Sequence, residues 1–205
     1  MAHDVVVRRL READYPTMEE LVRRTWYADG DPNISRRLAA IDVLEGLARA
    51  THAMTAELNG EVLGVILGSV RSEKTRWHRL PYRLRQIRLL PPLLFSGEGH
   101  RRLAEELEIL RVDDDLRRET DKTYDAEVAL FVVSPAARGK GVGGRLFGEM
   151  MGLFRKLGVR EYFLFTDTSC DYGFYDHRGL VRRAERHVDA DGKPKTFFLY
   201  EGGLL

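Results

Sequence analysis

The spacing of apolar and polar positions changes several times along the chain, and each change marks an element. Val5-Val6-Val7-Arg8-Arg9-Leu10 reads as a short strand. Asp14, Pro16 and Glu19 mark a helix start, with Met18, Leu21, Val22, Thr25 and Trp26 on one face. Ser35 is the expected N-cap of a second helix, in which Leu38, Ile41, Leu44 and Leu47 recur three apart. Asn59-Gly60 between Ala53–Leu58 and Glu61–Val70 predicts a hairpin with a two-residue turn. The return strand, with Val62, Leu63, Val65, Ile66 and Leu67, is expected to be buried on both faces.

From about residue 71 to 124 the period becomes helical, with breaks expected at Pro91-Pro92 and Gly97–Gly99 and a kink or boundary at Pro81. Apolar residues then run unbroken from Val128 to Val133, which reads as a strand beginning at Ala126. A Gly-rich turn follows, and a helix runs from about Lys140 to Leu157, stopped by Gly158. Tyr162–Thr166 reads as a strand and Asp171–His177 as a short helix. Leu180–Val188 and Lys195–Tyr200 read as two strands joined by a turn at Asp191-Gly192. This alternation predicts an α/β (α+β) fold with a mixed sheet. The expected organisation is a single domain over 1–205, with a helical insertion at about 71–124 between the third and fourth strands.

Charge narrows the function classes. The chain has 205 residues and a net charge of +1, which lowers the case for a generic nucleic-acid binder, and no nucleic acid is expected. The charge is nevertheless uneven. Residues 71–95 carry seven basic side chains and one acidic, whereas 96–124 carry six basic and nine acidic. The basic run is expected to be a solvated helix face paired with the acidic 105–121 stretch, ahead of binding RNA or a membrane surface. The single cysteine, Cys170, leaves no intrachain disulfide or multi-thiolate site, and the six histidines show no metal-ligand spacing, so no metal is expected. No apolar run approaches the ~20 residues of a membrane span. The start Met1-Ala2-His3-Asp4 lacks a leader's pattern. The expected compartment is the cytoplasm, without a membrane partner.

The strongest chemical signal is Val132-Val133-Ser134-Pro135-Ala136-Ala137-Arg138-Gly139-Lys140-Gly141-Val142-Gly143-Gly144, a strand end, a glycine-rich turn and a helix start. Glycines let successive N–H groups converge, and the helix N-terminus adds partial positive charge, which together suit a phosphate or pyrophosphate. The Walker loop is excluded because no glycine stands five residues before a Gly-Lys-Ser/Thr. The dinucleotide fingerprint fails because its third glycine would fall one residue too soon. The pattern Arg/Gln-x-x-Gly-x-Gly/Ala fits at Arg138, Gly141 and Gly143.

That loop resembles the coenzyme A pyrophosphate loop of the GNAT superfamily of N-acetyltransferases, and the order of elements from Val5 to Tyr200 resembles the GNAT acyl-CoA N-acyltransferase fold, the insertion apart. Phe174-Tyr175-Asp176-His177-Arg178-Gly179-Leu180 resembles the family's Phe-Tyr-x-x-x-Gly-Phe segment. The resemblance implies transfer of an acetyl group from acetyl-CoA, as cosubstrate, to a primary amine by direct attack in a ternary complex. It implies a cofactor loop over Arg138, Gly139, Lys140, Gly141, Val142, Gly143 and Gly144. Backbone N–H groups of Phe131, Val132 and Val133 would hold the thioester oxygen and pantetheine amides. Tyr175 would protonate the departing thiolate, and Glu127 would be the general base, directly or through a water. The sequence departs from the family at Thr168 and Asp171, where Asn and Ala are frequent. The implied acceptor is a small-molecule or peptide amine, and 71–124 is expected to help wall its pocket. An acyltransferase using another acyl-CoA and a non-catalytic acyl-CoA sensor are the alternatives. A homodimer paired through Lys195–Tyr200 is compatible with the pattern.

Overall fold

The structure, a computed structural model, describes residues 5–73, 76–190 and 193–204. Its elements are β1 (Val5–Arg9), α1 (Tyr15–Trp26), α2 (Pro32–Arg49), β2 (His52–Leu58), β3 (Glu61–Val70), α3 (Arg76–Leu94), α4 (Gly97–Glu119), β4 (Ala126–Val133), α5 (Val142–Lys156), β5 (Glu161–Asp167), α6 (Gly173–Asp176), β6 (Val181–Ala190) and β7 (Lys193–Gly203). Seven strands form one sheet in the order β1-β2-β3-β4-β5-β7-β6. All neighbours run antiparallel except β4 and β5, which are parallel.

Local chemistry explains most boundaries. The β2–β3 turn has Asn59 at φ 55° and Gly60 at φ 82°, the mirror-image turn whose twist suits a hairpin. Helix α5 ends where Gly158, at φ 75°, donates to the Arg155 carbonyl and Val159 to the Phe154 carbonyl. The Asp191-Gly192 turn lies outside the described residues.

Three expectations are corrected. Ser35 does not cap α2. The Asp31 carboxylate accepts from Asn33 N–H at 2.7 Å and Ile34 N–H at 3.2 Å, with Pro32 preset for the first helical position, while Ser35 is buried and donates to the Tyr27 carbonyl. Helix α3 runs through Pro81 and Pro91-Pro92 as far as Leu94, with Leu93 fully buried. The break falls at Phe95, and Ser96 then caps α4 by accepting from Gly99 N–H at 3.0 Å. Gly99 is required there by contact, since a Cβ would lie 2.5 Å from the Leu93 carbonyl oxygen.

The sheet is covered on both faces. Helix α5 buries Leu146, Phe147, Met150 and Phe154 against Ile66, Val128, Tyr162, Leu164 and Tyr200. On the opposite face α1 and α2 bury Met18, Val22, Leu38 and Val43 against Val65, Leu67 and Val132. The helical hairpin α3–α4 lies between β3 and β4 in sequence and extends this second layer. Helix α3 packs on α2, and α4 sets Val112 and Leu116 against Phe163, Phe197 and Leu199. Two helices therefore flank the β4–β5 seam on that face, α2 and α4.

Candidate active site

The seam is where the sheet opens. β4 and β5 pair only from Ala126↔Tyr162 to Val128↔Leu164, although both strands run on, to Val133 and Asp167. On its other edge β4 keeps its ladder with β3 as far as Val133↔Gly64. Ser134 N–H donates to the Leu63 carbonyl at 2.7 Å, so the alternation of an antiparallel ladder turns Val132 N–H toward β3 as well. The N–H groups of Phe131 and Val133 then point into the gap. Of the three backbone donors expected from the sequence, two face the opening and Val132 is committed to the sheet.

A bulge sets the side chains. Leu130 pairs with Leu67 and Val128 with Gly68, leaving Ala129 without a partner. The extra residue reverses the alternation. Phe131 and Val133 pack on the α5 side, whereas Ala129, Leu130 and Val132 pack on the α2 side, and Val128 returns to the α5 side. Glu127, next to Val128, therefore projects to the α2 side. It is buried, only 5% exposed, and forms an ion pair with the guanidinium of Arg49, the last residue of α2. A guanidinium in contact favours the ionised carboxylate.

The glycine-rich loop sits at the start of α5. Gly139 and Gly141 have φ 72° and 73°, backbone that L side chains rarely adopt, and Gly141 occupies the N-cap position. Arg145 N–H makes the first helical bond, to the Gly141 carbonyl. Val142, Gly143 and Gly144 N–H have no intrahelical acceptor and converge at the positive end of the helix. Arg138, Gly139, Lys140 and Gly141 are exposed. A Cβ on Gly143 would lie 3.6 Å from Phe131, Phe174 and Val133, so the loop abuts the mouth of the gap.

Tyr175 lies on the α5 side, 8% exposed, with its ring 6.2 Å from Phe147 and 5.5 Å from Tyr200. Its hydroxyl makes no hydrogen bond to another described residue. Burial, with Cys170 and Asp171 nearby, pushes the phenol well above its ordinary range, so it is protonated at neutral pH. Asp176 anchors the short α6 helix through Arg182 and accepts from the Tyr200 hydroxyl at 2.8 Å. His177 is exposed and Cys170 half-buried. Thr168 accepts from Thr196 N–H at 3.2 Å, which ties its hydroxyl to β7.

Two features escaped sequence reasoning. The Arg178 guanidinium stacks 3.5 Å from the Phe174 ring centre and donates to the Phe174 carbonyl at 3.2 Å. Its Nη2 lies 3.1 Å from where a Gly144 Cβ would be, which sets a cation at the glycine-rich loop. Its place inside the Phe-Tyr segment was the one available signal. The second is a set of carboxylates on the α2–α4 side. The Tyr27 hydroxyl lies 2.9 Å from both Asp42 of α2 and Glu106 of α4. One hydroxyl carries one hydrogen, so the three oxygens hold a further proton between them. Burial and the mutual charge push Asp42 up to about 7, and burial raises Glu106. Burial also pushes Asp113 of α4 up to about 7, against the opposing effect of Arg49. Of the Asp113-Asp114-Asp115 run, Asp113 lies near Arg49 and Glu106, Asp115 pairs with Arg186 at 2.6 Å and Asp114 is exposed.

This set has a measurable consequence. The folded-state pKa of Asp42 lies above its unfolded value, so the folded protein holds a proton that the unfolded chain releases. Stability therefore falls as pH rises from about 4 to about 7. Thermal denaturation between pH 5.5 and 8.5 is expected to show the decline, and Asp42→Asn to remove much of it, gaining roughly 2 kcal/mol at the alkaline end. An unchanged pH profile in Asp42→Asn would show that Asp42 is ionised in the folded protein.

The family model for GNAT acetyltransferases matches residues 15–180. The chain belongs to the GNAT acetyltransferase family. Solved structures share the fold at low identity. A GNAT acetyltransferase from Brucella melitensis, crystallised with acetyl-CoA, is 17% identical, with 99% of this chain and 90% of that one covered and a TM-score of 0.52. The ribosomal-protein-S18-alanine N-acetyltransferase of Escherichia coli is 11% identical, with 98% and 94% covered and a TM-score of 0.59. The polyamine N-acetyltransferase of Drosophila melanogaster, which forms N-acetylagmatine, is 15% identical, with 98% and 100% covered and a TM-score of 0.56. No protein of curated function matches this GNAT chain in sequence.

Proposed function

We propose that this GNAT protein transfers the acetyl group of acetyl-CoA to a primary amine on a cationic acceptor, within one ternary complex. The observation that carries the reading is the gap between β4 and β5. It has an anion-binding helix N-terminus at its mouth on one face and a buried carboxylate with a carboxylate-lined cleft on the other. The acetyl-CoA complex of the Brucella relative supports the cosubstrate. The polyamine substrate of the Drosophila relative supports a cationic acceptor.

In this reading the pyrophosphate sits on the N–H groups of Val142, Gly143 and Gly144, with Arg138, Lys140 and Arg178 supplying charge. The thioester lies in the gap, where Phe131 and Val133 N–H polarise its carbonyl. Glu127 takes a proton from the acceptor ammonium, directly or through a water. The amine nitrogen bonds to the carbonyl carbon, the C–S bond breaks, Tyr175 gives its proton to the departing thiolate, and the phenolate takes the second proton from the new amide nitrogen. Arg49 acts through Glu127 by holding it ionised and in place. Helices α3 and α4 form the far wall of the acceptor cleft, as an insertion within one domain over 1–205. The half-buried free thiol of Cys170 suits the cytoplasm.

Calorimetric titration with acetyl-CoA, CoA and a longer acyl-CoA tests the reading. Binding that prefers acetyl-CoA is expected, with affinity about tenfold weaker in Arg178→Ala through loss of one charge-assisted contact. Preference for the longer chain would move the protein to another acyl donor. No binding to any of them would overturn the loop assignment.

A further inference from the structure

The outer face of the inserted hairpin carries apolar side chains that nothing in the fold covers. Helix α3 turns Gln86 and Leu93 inward, and Gln86 donates to the Ile41 carbonyl at 3.1 Å. On its other side Leu80, Leu84, Ile87 and Leu94 are 50%, 51%, 60% and 53% exposed, at spacings that align them in one stripe. Phe95, just past the helix end, is 91% exposed. A stripe of this size on a protein surface marks contact with something else.

Charge identifies what it contacts. Residues 76–94 contain five arginines and no aspartate or glutamate. By helical spacing Arg83 and Arg88 flank the stripe on its two sides, while half-buried Arg79 turns toward α2 and exposed Arg85 lies on the far side of the helix. Among the described residues the expected pairing with the acidic 105–121 stretch is not seen. Arg83 pairs with Glu45 of α2, and Arg79, Arg85 and Arg88 make no ion pair among the described residues. On α4 the inward side takes Glu106 and Asp113, while Arg111, Arg117 and Arg118 are exposed. Helix α3 therefore presents apolar side chains with Arg83 and Arg88 beside them and no acidic residue of its own, whereas α4 exposes Glu108, Asp114 and Glu119 as well as arginines.

We infer that α3 and Phe95 form a docking surface for an anionic lipid bilayer. Leucine, isoleucine and phenylalanine side chains enter the boundary between headgroups and acyl chains, and the flanking arginines reach up to the phosphates. Nucleic acid would satisfy the arginines and leave the apolar stripe in water. A second copy meeting face to face would bring the arginines of two stripes together. No helix among the described residues is long and apolar enough to cross a membrane, so attachment is peripheral. This reading revises the expectation that partners exclude a membrane, and it is independent of the proposed chemistry.

Flotation with vesicles of phosphatidylcholine, with and without roughly one-third phosphatidylserine, tests it at physiological salt. The protein is expected to float with the phosphatidylserine vesicles, stay behind with phosphatidylcholine alone, and detach at about 1 M salt. Ile87→Glu and Phe95→Ser are each expected to lower the bound fraction at least tenfold, and Arg83→Glu combined with Arg88→Glu to abolish binding. These side chains are exposed, so far-UV circular dichroism and acetyl-CoA affinity should match the parent. Two results would overturn the inference: no flotation of the parent with anionic vesicles, or equal flotation of Ile87→Glu. Sedimentation equilibrium showing a dimer that Ile87→Glu dissociates would also overturn it, because a second copy would then cover the stripe.

Discussion

Glu127→Gln is expected to lower kcat/KM by roughly a hundred- to a thousandfold, within the range of a lost general base. Glutamine matches glutamate in shape and keeps a hydrogen-bond acceptor, but it cannot take a proton from an ammonium group. The β4 bulge at Ala129 turns this side chain out of the α5 core and into contact with Arg49, between α2 and α4. The carboxylate is thus buried and in contact with a guanidinium, on the side of the sheet where Asp113 also lies near Arg49. Affinity for acetyl-CoA should stay within about twofold of the parent, because the phosphate loop lies on the opposite face of the sheet. The acid limb of the pH–rate profile should vanish, since the group that sets it no longer titrates. Arg49→Met should instead keep the limb and move it to higher pH, because the contact that favours the ionised carboxylate is gone. A Glu127→Gln protein with full turnover and an unchanged acid limb would reduce Glu127 to a structural partner of Arg49.

Tyr175→Phe is expected to cost roughly a hundredfold in kcat and nothing in acetyl-CoA affinity. The phenyl ring keeps its packing against Phe147, Phe174 and Tyr200, so the fold should tolerate the change. The hydroxyl has no hydrogen-bond partner to lose among the described residues. What disappears is the proton for the departing thiolate. Burial raises the phenol above its ordinary value of about 10, and a raised pKa keeps it protonated as pH climbs. The parent should therefore hold its rate through pH 9, with no descending limb from this group. Single-turnover rates with a preformed acetyl-CoA complex separate this loss of chemistry from a loss of binding. An unaltered rate in Tyr175→Phe would hand the proton to water or to another group.

The glycine-rich turn and the start of α5 were legible in the sequence because their signals are local. Gly139 and Gly141 report left-handed backbone, and the apolar period that follows reports a helix N-terminus. Both are properties of a few adjacent residues. The acceptor side was not legible. Arg49 meets Glu127 across the interval between α2 and β4, and Tyr27 meets Glu106 from 79 positions away. No periodicity records such pairs. Even Arg178, inside the Phe-Tyr segment, reaches Gly144 only because α6 lies beside the start of α5.

Composition, period and turn chemistry by themselves determined the mixed sheet, the Asn59-Gly60 hairpin and the glycine-rich turn before α5, whereas Glu127 and Tyr175 were marked only by the resemblance to the family. The first three follow from backbone propensity and side-chain alternation, which act over one or two turns of chain. Tertiary structure alone decided where the sheet opens, which N–H groups face the opening, and which face of β4 carries Glu127. One unpaired residue at Ala129 inverts the strand's alternation. It also decided that, among the described side chains, the arginines of α3 find one carboxylate, Glu45 of α2, and that the outer stripe of α3 stays exposed.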